Sequence, residues 1–315
     1  MSHPNHIAEQ FGDRPGDVYH VPVLLTQAVD ALAIKPSGIY VDCTFGGGGH
    51  SREILKRLDS SGKLLVFDQD PAVKANIPDD ARLTFIPHNF RHLQRFLKLY
   101  QVEKVDGVLA DLGVSSKQFD DAARGFSTRF EGPLDMRMDP AQSNTAAQIV
   151  QTYSADQLHK LFEQYGEVTN AKTLAAAIVK QRALMPLQTS AQFKQALHHS
   201  VKGNPHKYWA QVFQALRIEV NDELSALEDL LTQLPQVLKS GGRAAVISFH
   251  SLEDRMVKKF FKEGLLHAEN EDPFSRETKE KPFRLITKKP IEADPDEIQS
   301  NPRSRSARLR IAEKI

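Results

Sequence analysis

Short apolar runs alternate with helix-period segments through the first third of the chain, the pattern of a parallel sheet joined by crossover helices. The run "GIYVDC" at 38–43 predicts a first strand, and "HSREILKRL" at 50–58 a helix after it. Three further strands are predicted at "GKLLVFD" (62–68), "RLTFIP" (82–87) and "KVDGVLADLG" (104–113). From about Ser115 to Lys207 this rhythm stops and the text turns helical or irregular. Two helix starts there have capping-box form, Ser154 three before Gln157 and Thr189 three before Gln192. Beyond them Trp209, Phe213, Leu216, Val220, Leu224, Leu227, Leu231, Leu234 and Leu238 keep helical spacing. They predict one long amphipathic helix, closed by the glycines of "KSGG". "RAAVISF" (243–249) predicts a fifth strand, "EDRMVKKFFKEG" a helix, and "FRLITK" and "ARLRIAE" the last strands. The expected architecture is α/β: a sheet domain over 20–125 and 208–315, interrupted by a helical insertion over 126–207 and preceded by a polar, flexible leader over 1–19.

Composition adds little at first: 315 residues, 40% hydrophobic and 26% charged, describe an ordinary globular chain. There is no apolar run long enough for a signal peptide core or a membrane span. A single cysteine, Cys43, rules out an intrachain disulfide and a cysteine-based metal site, and fits a reducing cytoplasm. No convincing metal cluster is visible. Net charge is only +1, yet the stretch from Val168 to Ile218 holds no acid and seven cations: Lys172, Lys180, Arg182, Lys194, Lys202, Lys207 and Arg217. The segment "NPRSRSARLR" near the end repeats this bias. Two basic segments on an otherwise acidic chain suggest a polyanion partner.

Between the first strand and its helix stands "TFGGGGHS". Consecutive glycines there let backbone approach a nucleotide-like ligand where any Cβ would clash. A triphosphate loop would end in Gly-Lys-Ser/Thr, but His50 and Ser51 follow here, which removes that option. Asp68, closing the second strand, stands where an acid holds a ribose diol. The loop and Asp68 together ask for an adenosine cofactor, either a nicotinamide dinucleotide or S-adenosylmethionine (SAM), while Asp70 reads as a helix cap. In such sheets ligands lie beyond the carboxyl ends of the strands. Phe90 follows the third strand, Asp111 ends the fourth, and His250, Ser251, Glu253 and Asp254 follow the fifth. A hydrolase is disfavoured, since no Gly-x-Ser-x-Gly elbow surrounds Ser251.

Eight ordered blocks carry a more specific resemblance: "HVPVLL", "TFGGGGHS", "DLGVSSKQ", "RGFS", "GPLDMRMD", "FQALRIEVNDEL", "GGRAAVISFHSLEDR" and "NPRSRSARLRIAE". From about His20 to the C-terminus the chain resembles the bacterial 16S ribosomal RNA (cytosine-N4)-methyltransferases, the ribosomal RNA small subunit methyltransferase H family. The resemblance implies a SAM-dependent, Rossmann-like methyltransferase sheet with an inserted helical substrate domain. It also implies a target cytosine in the decoding centre, reached in the small ribosomal subunit or a late assembly intermediate of it. Oligomeric state is left open, a homodimer being one option. Carried over by position, the cofactor contacts are Gly48, Gly49, His50, Asp68, Phe90, Asp111 and Gln118. Gln27 and Gln211 depart from the family pattern, the second where an Arg is usual. A nicotinamide-dependent oxidoreductase and a non-catalytic ribosome-binding protein remain as alternatives.

Chemistry narrows the acceptor. Methylation at carbon 5 of cytosine needs a cysteine nucleophile, and Cys43 lies in the first strand's motif, away from where the base should enter. A nitrogen acceptor then needs a hydrogen-bond acceptor beside it, for which Asp111 or a carbonyl of the "DLG" turn is the candidate, with His250 as a second catalytic candidate on the rim. Related amino-methyltransferases carry Pro-Pro-aromatic after this acid; this chain has "LGVSS", so the ring that stacks on the base must come from elsewhere, with Phe126 and Tyr208 as candidates. The RNA contacts expected are Arg137, Lys202, Lys207, Arg217, Arg303 and Arg305, meeting phosphates without reading sequence.

Overall fold

The computed structural model describes residues 22–266 and 281–315; the leader expected over 1–19 lies outside them. Among the described residues seven strands form one sheet: β1 (Ile39–Asp42), β2 (Lys63–Phe67), β3 (Leu83–Ile86), β4 (Val105–Asp111), β5 (Leu238–Ser248), β6 (Phe283–Leu285) and β7 (Arg308–Lys314), in the order β3-β2-β1-β4-β5-β7-β6. The first five are parallel to one another, at the predicted apolar runs. β7 pairs antiparallel with both β5 and β6, so the sheet is mixed.

The helices are α1 (Leu25–Ala31), α2 (Gly49–Arg57), α3 (Leu93–Leu99), α4 (Ser116–Asp120), α5 (Ala146–Thr152), α6 (Ala155–Gln164), α7 (Ala171–Arg182), α8 (Ser190–Ala196), α9 (Pro205–Asn221), α10 (Glu223–Val237), α11 (Ser251–Glu263) and α12 (Pro295–Ser300). Strand side chains alternate between two buried faces, as a doubly covered sheet requires. Val41, Leu65, Val108 and Val246 face α3, α10 and α11. Tyr40, Leu64, Leu109 and Ala245 face α1 and α2. Truncating a fully buried leucine such as Leu230 to alanine removes contacts that little else can replace, at a cost of about 2–5 kcal/mol.

A separate apolar cluster runs from Phe126 to Val220 and is built by α5 to α9. Both predicted capping boxes form: Ser154 and Thr189 each accept from the backbone N–H three residues on. The cluster takes in Tyr208, Val212, Phe213, Leu216 and Val220, so the packing of the helical module runs through α9 and past residue 207, where the insertion was expected to end.

Two expectations from the periodicity change here. The single long helix is two, because Asp222 takes a left-handed conformation (φ 49°, ψ 43°) between α9 and α10. Asp is among the few residues that adopt it at modest cost. The apolar stripe hides the break, since both halves keep helical spacing on either side of one residue. The "KSGG" segment does not stop a helix; α10 ends at Val237, and these residues lie in β5. The β4–β5 register shifts between Val105 and Gly107, which absorbs them, and Lys239 in the shifted stretch reaches Asp106 at 2.7 Å.

Candidate active site

β1 has β2 on one side and β4 on the other, so chain order reverses between β1 and β4, where open α/β sheets bind ligands. A cavity of about 550 Å³ opens there, within the range of small-molecule sites. Its walls come from the loop after β1, from Asp68–Asp70 after β2, from His88–Phe90 after β3, from Asp111–Gln118 after β4, and from Phe249 and Glu253 after β5.

The glycine loop divides its work. Gly46 and Gly47 line the cavity; a Cβ at Gly47 would meet nothing within 4 Å, so backbone is presented bare to any ligand. Gly48 does not line it. Gly48 is left-handed (φ 75°) at the start of α2, with the Phe45 ring against it, so its role in the structure is conformational. Gly49 lies so close to Pro22 that a Cβ would sit 2.1 Å from Pro22 Cγ. His50 is buried, with Nε2 3.1 Å from the Val23 carbonyl and Nδ1 3.8 Å from Asp111 Oδ2. Burial lowers its pKa, against the pull of Asp42, and favours the neutral ring that donates from Nε2.

Asp68 shapes the loop from below. Its Oδ2 accepts from Gly46 N at 2.8 Å and its Oδ1 from Asp70 N at 2.9 Å. Burial nevertheless pushes its pKa up to about 6 against those two bonds. Asp70 caps the turn after it, accepting from Ala72 N as expected, and also takes Gln118 Nε2 at 2.7 Å and Arg124 Nη1 at 2.8 Å on Oδ2. Gln118 is itself fixed in a capping box with Ser115, and both it and Phe90 line the cavity.

Asp111 stands at the centre of the wall. Its backbone N donates to Thr44 Oγ1 at 2.7 Å, yet its side-chain Oδ1 is buried and has no partner. Burial first, then the neighbouring Asp42 and Glu253 carboxylates, push its pKa well above the ordinary range. A buried acceptor left free on a cavity wall is a group awaiting a ligand. Bare backbone at Gly46 and Gly47 and the acid after β2 fit the donor and acceptor needs of SAM, and the orphan Asp111 oxygen is left to accept from a group that enters beside it.

The remaining expected residues are dispersed. His250 is not brought to the cavity wall: it caps α11 in a capping box with Glu253, its Nε2 lying 3.3 Å from Glu253 Oε1. Burial alone would raise Glu253, but His250 and Arg217 hold it below its usual value. Glu223, His250 and Glu253 bring potential metal-ligand atoms within 4.8 Å of one another. Arg217 bonds both Glu223 oxygens at 2.8 and 3.0 Å and Glu253 Oε2 accepts from Phe249 N, while His250 Nε2 is buried with no hydrogen-bond partner. This same pairing corrects the expectation for Arg217: it is committed inside the protein and not presented to RNA. Phe126 and Tyr208, expected to stack on the base, are instead buried in the helical cluster and do not line the cavity. Arg137 spends its guanidinium on Asp135 and on the carbonyls of Pro140 and Gln142. Arg303 reaches the cavity rim, where it pairs with Asp120 and lies 5.0 Å over the Phe119 ring. Lys202, Lys207 and Arg305 are exposed, as are Lys172 and Lys180, while Lys194 and Arg182 bond backbone carbonyls.

Two connecting residues have no motif to announce them. Arg124 joins Asp70 to the carbonyls of Arg137 and Met138, and Asn221 bonds Met136 O at 2.8 Å and Met138 N at 2.7 Å. They tie the "GPLDMRMD" segment to both the cofactor side and the α9–α10 junction. Both lie within the ordered sequence blocks, in "RGFS" and "FQALRIEVNDEL", which is the one signal that marked them.

Fold and site together define a SAM-dependent methyltransferase. The chain belongs to the MraW methylase family, whose profile matches residues 17–315. It is 54% identical over 300 residues to the ribosomal RNA small subunit methyltransferase H of Cytophaga hutchinsonii, covering 94% of this chain and all of that one. It is 52% identical over 298 residues to the Phocaeicola vulgatus protein of the same name, covering 94% and 98%. Among solved structures, an rRNA methylase from Streptococcus thermophilus aligns over 94% of this chain and 99% of its own with 10% identity and a TM-score of 0.40, too distant to bear on the site. Family membership sets aside the nicotinamide oxidoreductase.

Proposed function

We propose that the protein transfers a methyl group from SAM to the N4 amine of a cytosine in the decoding centre of 16S rRNA, within the small ribosomal subunit or a late assembly intermediate. Two full-length relatives above 50% identity bear the ribosomal RNA small subunit methyltransferase H name, which supports the RNA substrate. The observation that carries the chemistry is the buried, unpartnered Oδ1 of Asp111 on the cavity wall.

SAM, held by the glycine loop, Asp68, Phe90 and Gln118, would supply an electrophilic methyl group on a sulfonium. The amine of cytosine is a weak nucleophile because its lone pair is delocalised into the ring. Asp111 Oδ1, accepting one amine N–H, draws that pair back onto nitrogen and stabilises the positive charge that develops there. A neutral Asp111 accepts through its carbonyl oxygen, and positive charge brought close to it favours the ionised form, which can take the proton. Cys43 is on the cavity wall but almost wholly buried, and burial first, then the Asp42 carboxylate, raises its thiol pKa well above the usual value, which disfavours the thiolate. That argues against carbon-5 chemistry. Exposed Lys172, Lys180, Lys202 and Lys207 on the helical module would be free to meet RNA phosphates.

The test is mass spectrometry of 16S rRNA fragments from cells with and without the protein. A single N4-methylcytosine difference in the decoding region supports the reading. An unchanged 16S rRNA, or tritium transfer from SAM only to DNA or free protein, refutes it.

A further inference from the structure

The cavity offers the incoming base very few flat surfaces. Besides His50, the rings on its wall are Phe45, His88, Phe90 and Phe249. Phe45 is buried edge-on against Phe85, with centroids 6.0 Å apart. His88 is already stacked on Phe96 at 4.6 Å. Phe90 follows β3, on the same side of the sheet reversal as the glycine loop and Asp68. Phe249 alone stands on the other side, where β4 and β5 end.

Its position is fixed by the strand pairing. Asp111 lies opposite Ile247, and Leu112 N donates to Ile247 O at 3.0 Å, so two residues further on Phe249 flanks Gly113. A Cβ at Gly113 would lie 3.8 Å from Phe249 Cδ2, and Gly113 has φ 90°, which disfavours any side chain there. The missing side chain leaves the ring open toward the "DLG" turn. The backbone of Phe249 is held as well: its N–H donates to Glu253 Oε2 at 2.8 Å, and Glu253 is locked in the α11 cap. The half-buried ring is therefore set beside the turn that carries Asp111, before any ligand enters.

Building on the proposed cytosine-N4 reading, we propose that Phe249 is the platform on which the target pyrimidine stacks once it leaves the RNA helix. A base removed from its neighbours loses stacking, and an aromatic face restores part of it while orienting the exocyclic amine toward Asp111. This also gives the site the aromatic surface that Phe126 and Tyr208, buried elsewhere, do not provide.

The test uses the full chain with Phe249→Tyr, Phe249→Leu and Phe249→Ala. Methylation kinetics are read on small-subunit particles lacking the mark, SAM affinity by calorimetry, and folding by thermal melts. Phe249→Ala is expected to lower kcat/KM about ten- to hundredfold, the span of a lost base–aromatic stack. Phe249→Leu, which keeps apolar bulk without the flat face, should fall nearly as far, and Phe249→Tyr should retain most activity. SAM affinity should stay within about twofold throughout, since the cofactor side is untouched. Full activity in Phe249→Leu would show that the ring only packs, and would overturn the proposal. A parallel loss of SAM affinity would overturn it too, by assigning the ring to the cofactor. If wild-type protein methylates the particles at another atom or not at all, the cytosine-N4 reading fails first, and the stacking proposal fails with it.

Discussion

Replacing Asp68 with asparagine separates its structural work from its binding work. In the free protein Asp68 accepts two backbone N–H groups while its charge is buried, and the balance is a pKa of about 6. Relative to an unfolded Asp near 3.9, about two units of upward shift cost roughly 3 kcal/mol at neutral pH. The sign follows from the direction: the folded state binds the proton more tightly. Stability from this group is thus fully present below about pH 4 and lost as pH rises through about 6. Asparagine removes that cost but leaves either Gly46 N or Asp70 N without its acceptor, a loss of about 1–3 kcal/mol. The two nearly cancel, and the melting temperature at pH 7.5 should move by only about 5 °C or less.

Binding should not cancel. A charge-assisted hydrogen bond from a ribose hydroxyl is worth about 1.5–3 kcal/mol, so SAM affinity should fall about ten- to hundredfold. Calorimetry across pH 5–8 is the assay. Wild-type affinity should fall about tenfold per unit below pH 6, as the free carboxylate is protonated, and Asp68→Asn should be nearly flat. Wild-type-like affinity in Asp68→Asn, or a slope below pH 6 as steep as that of the wild type, would refute the assignment of Asp68 to the ribose.

Three further predictions rest on other contacts. Arg217→Met leaves the half-buried Glu223 unpaired and should destabilise the protein by about 1–3 kcal/mol in denaturant titration; a loss of RNA binding without loss of stability would contradict its internal role. Lys202→Ala with Lys207→Ala should weaken binding to small-subunit particles and reduce the salt slope by about two, with SAM affinity unchanged in calorimetry. Asn221→Ala removes the bonds to Met136 O and Met138 N, and should cost about 2–3 kcal/mol in thermal or chemical unfolding, with the "GPLDMRMD" amides exchanging faster.

What the sequence could show and what it could not follow from the range of the interactions. Strands β1 to β5 and the placing of Asp68 and Asp111 on the cavity wall were legible, because buried parallel strands are written as local apolar runs and the cavity opens at their carboxyl ends. The caps at Ser154 and Thr189 span three residues and were equally plain. The break at Asp222 was not, since one left-handed residue leaves the apolar period intact. Arg217 counted as a surface cation because its partner, Glu223, lies across that same break. His250 drew attention as a titratable group next to a serine, yet its ring closes the helix cap, and the residue before it faces the cavity. Which of two adjacent side chains points inward depends on where a strand ends to within one position, and apolar patterning does not resolve that.

Three consecutive residues at the α9–α10 junction belong to three different parts of the molecule: Asn221 holds the "GPLDMRMD" segment, Asp222 takes Arg91 at 2.9 Å beside Phe90, and Glu223 lines the cavity. α9 runs 17 residues away from that joint, about 25 Å at 1.5 Å per residue, to the exposed lysines at its far end. The arrangement is a lever with unequal arms. Tilting α9 by about 5° would carry its far end some 2 Å, while the cavity wall beside the joint would shift by only a few tenths of an ångström, a ratio fixed by that helix length. A displacement imposed on the distal lysines would thus reach the cavity wall only as a fine adjustment.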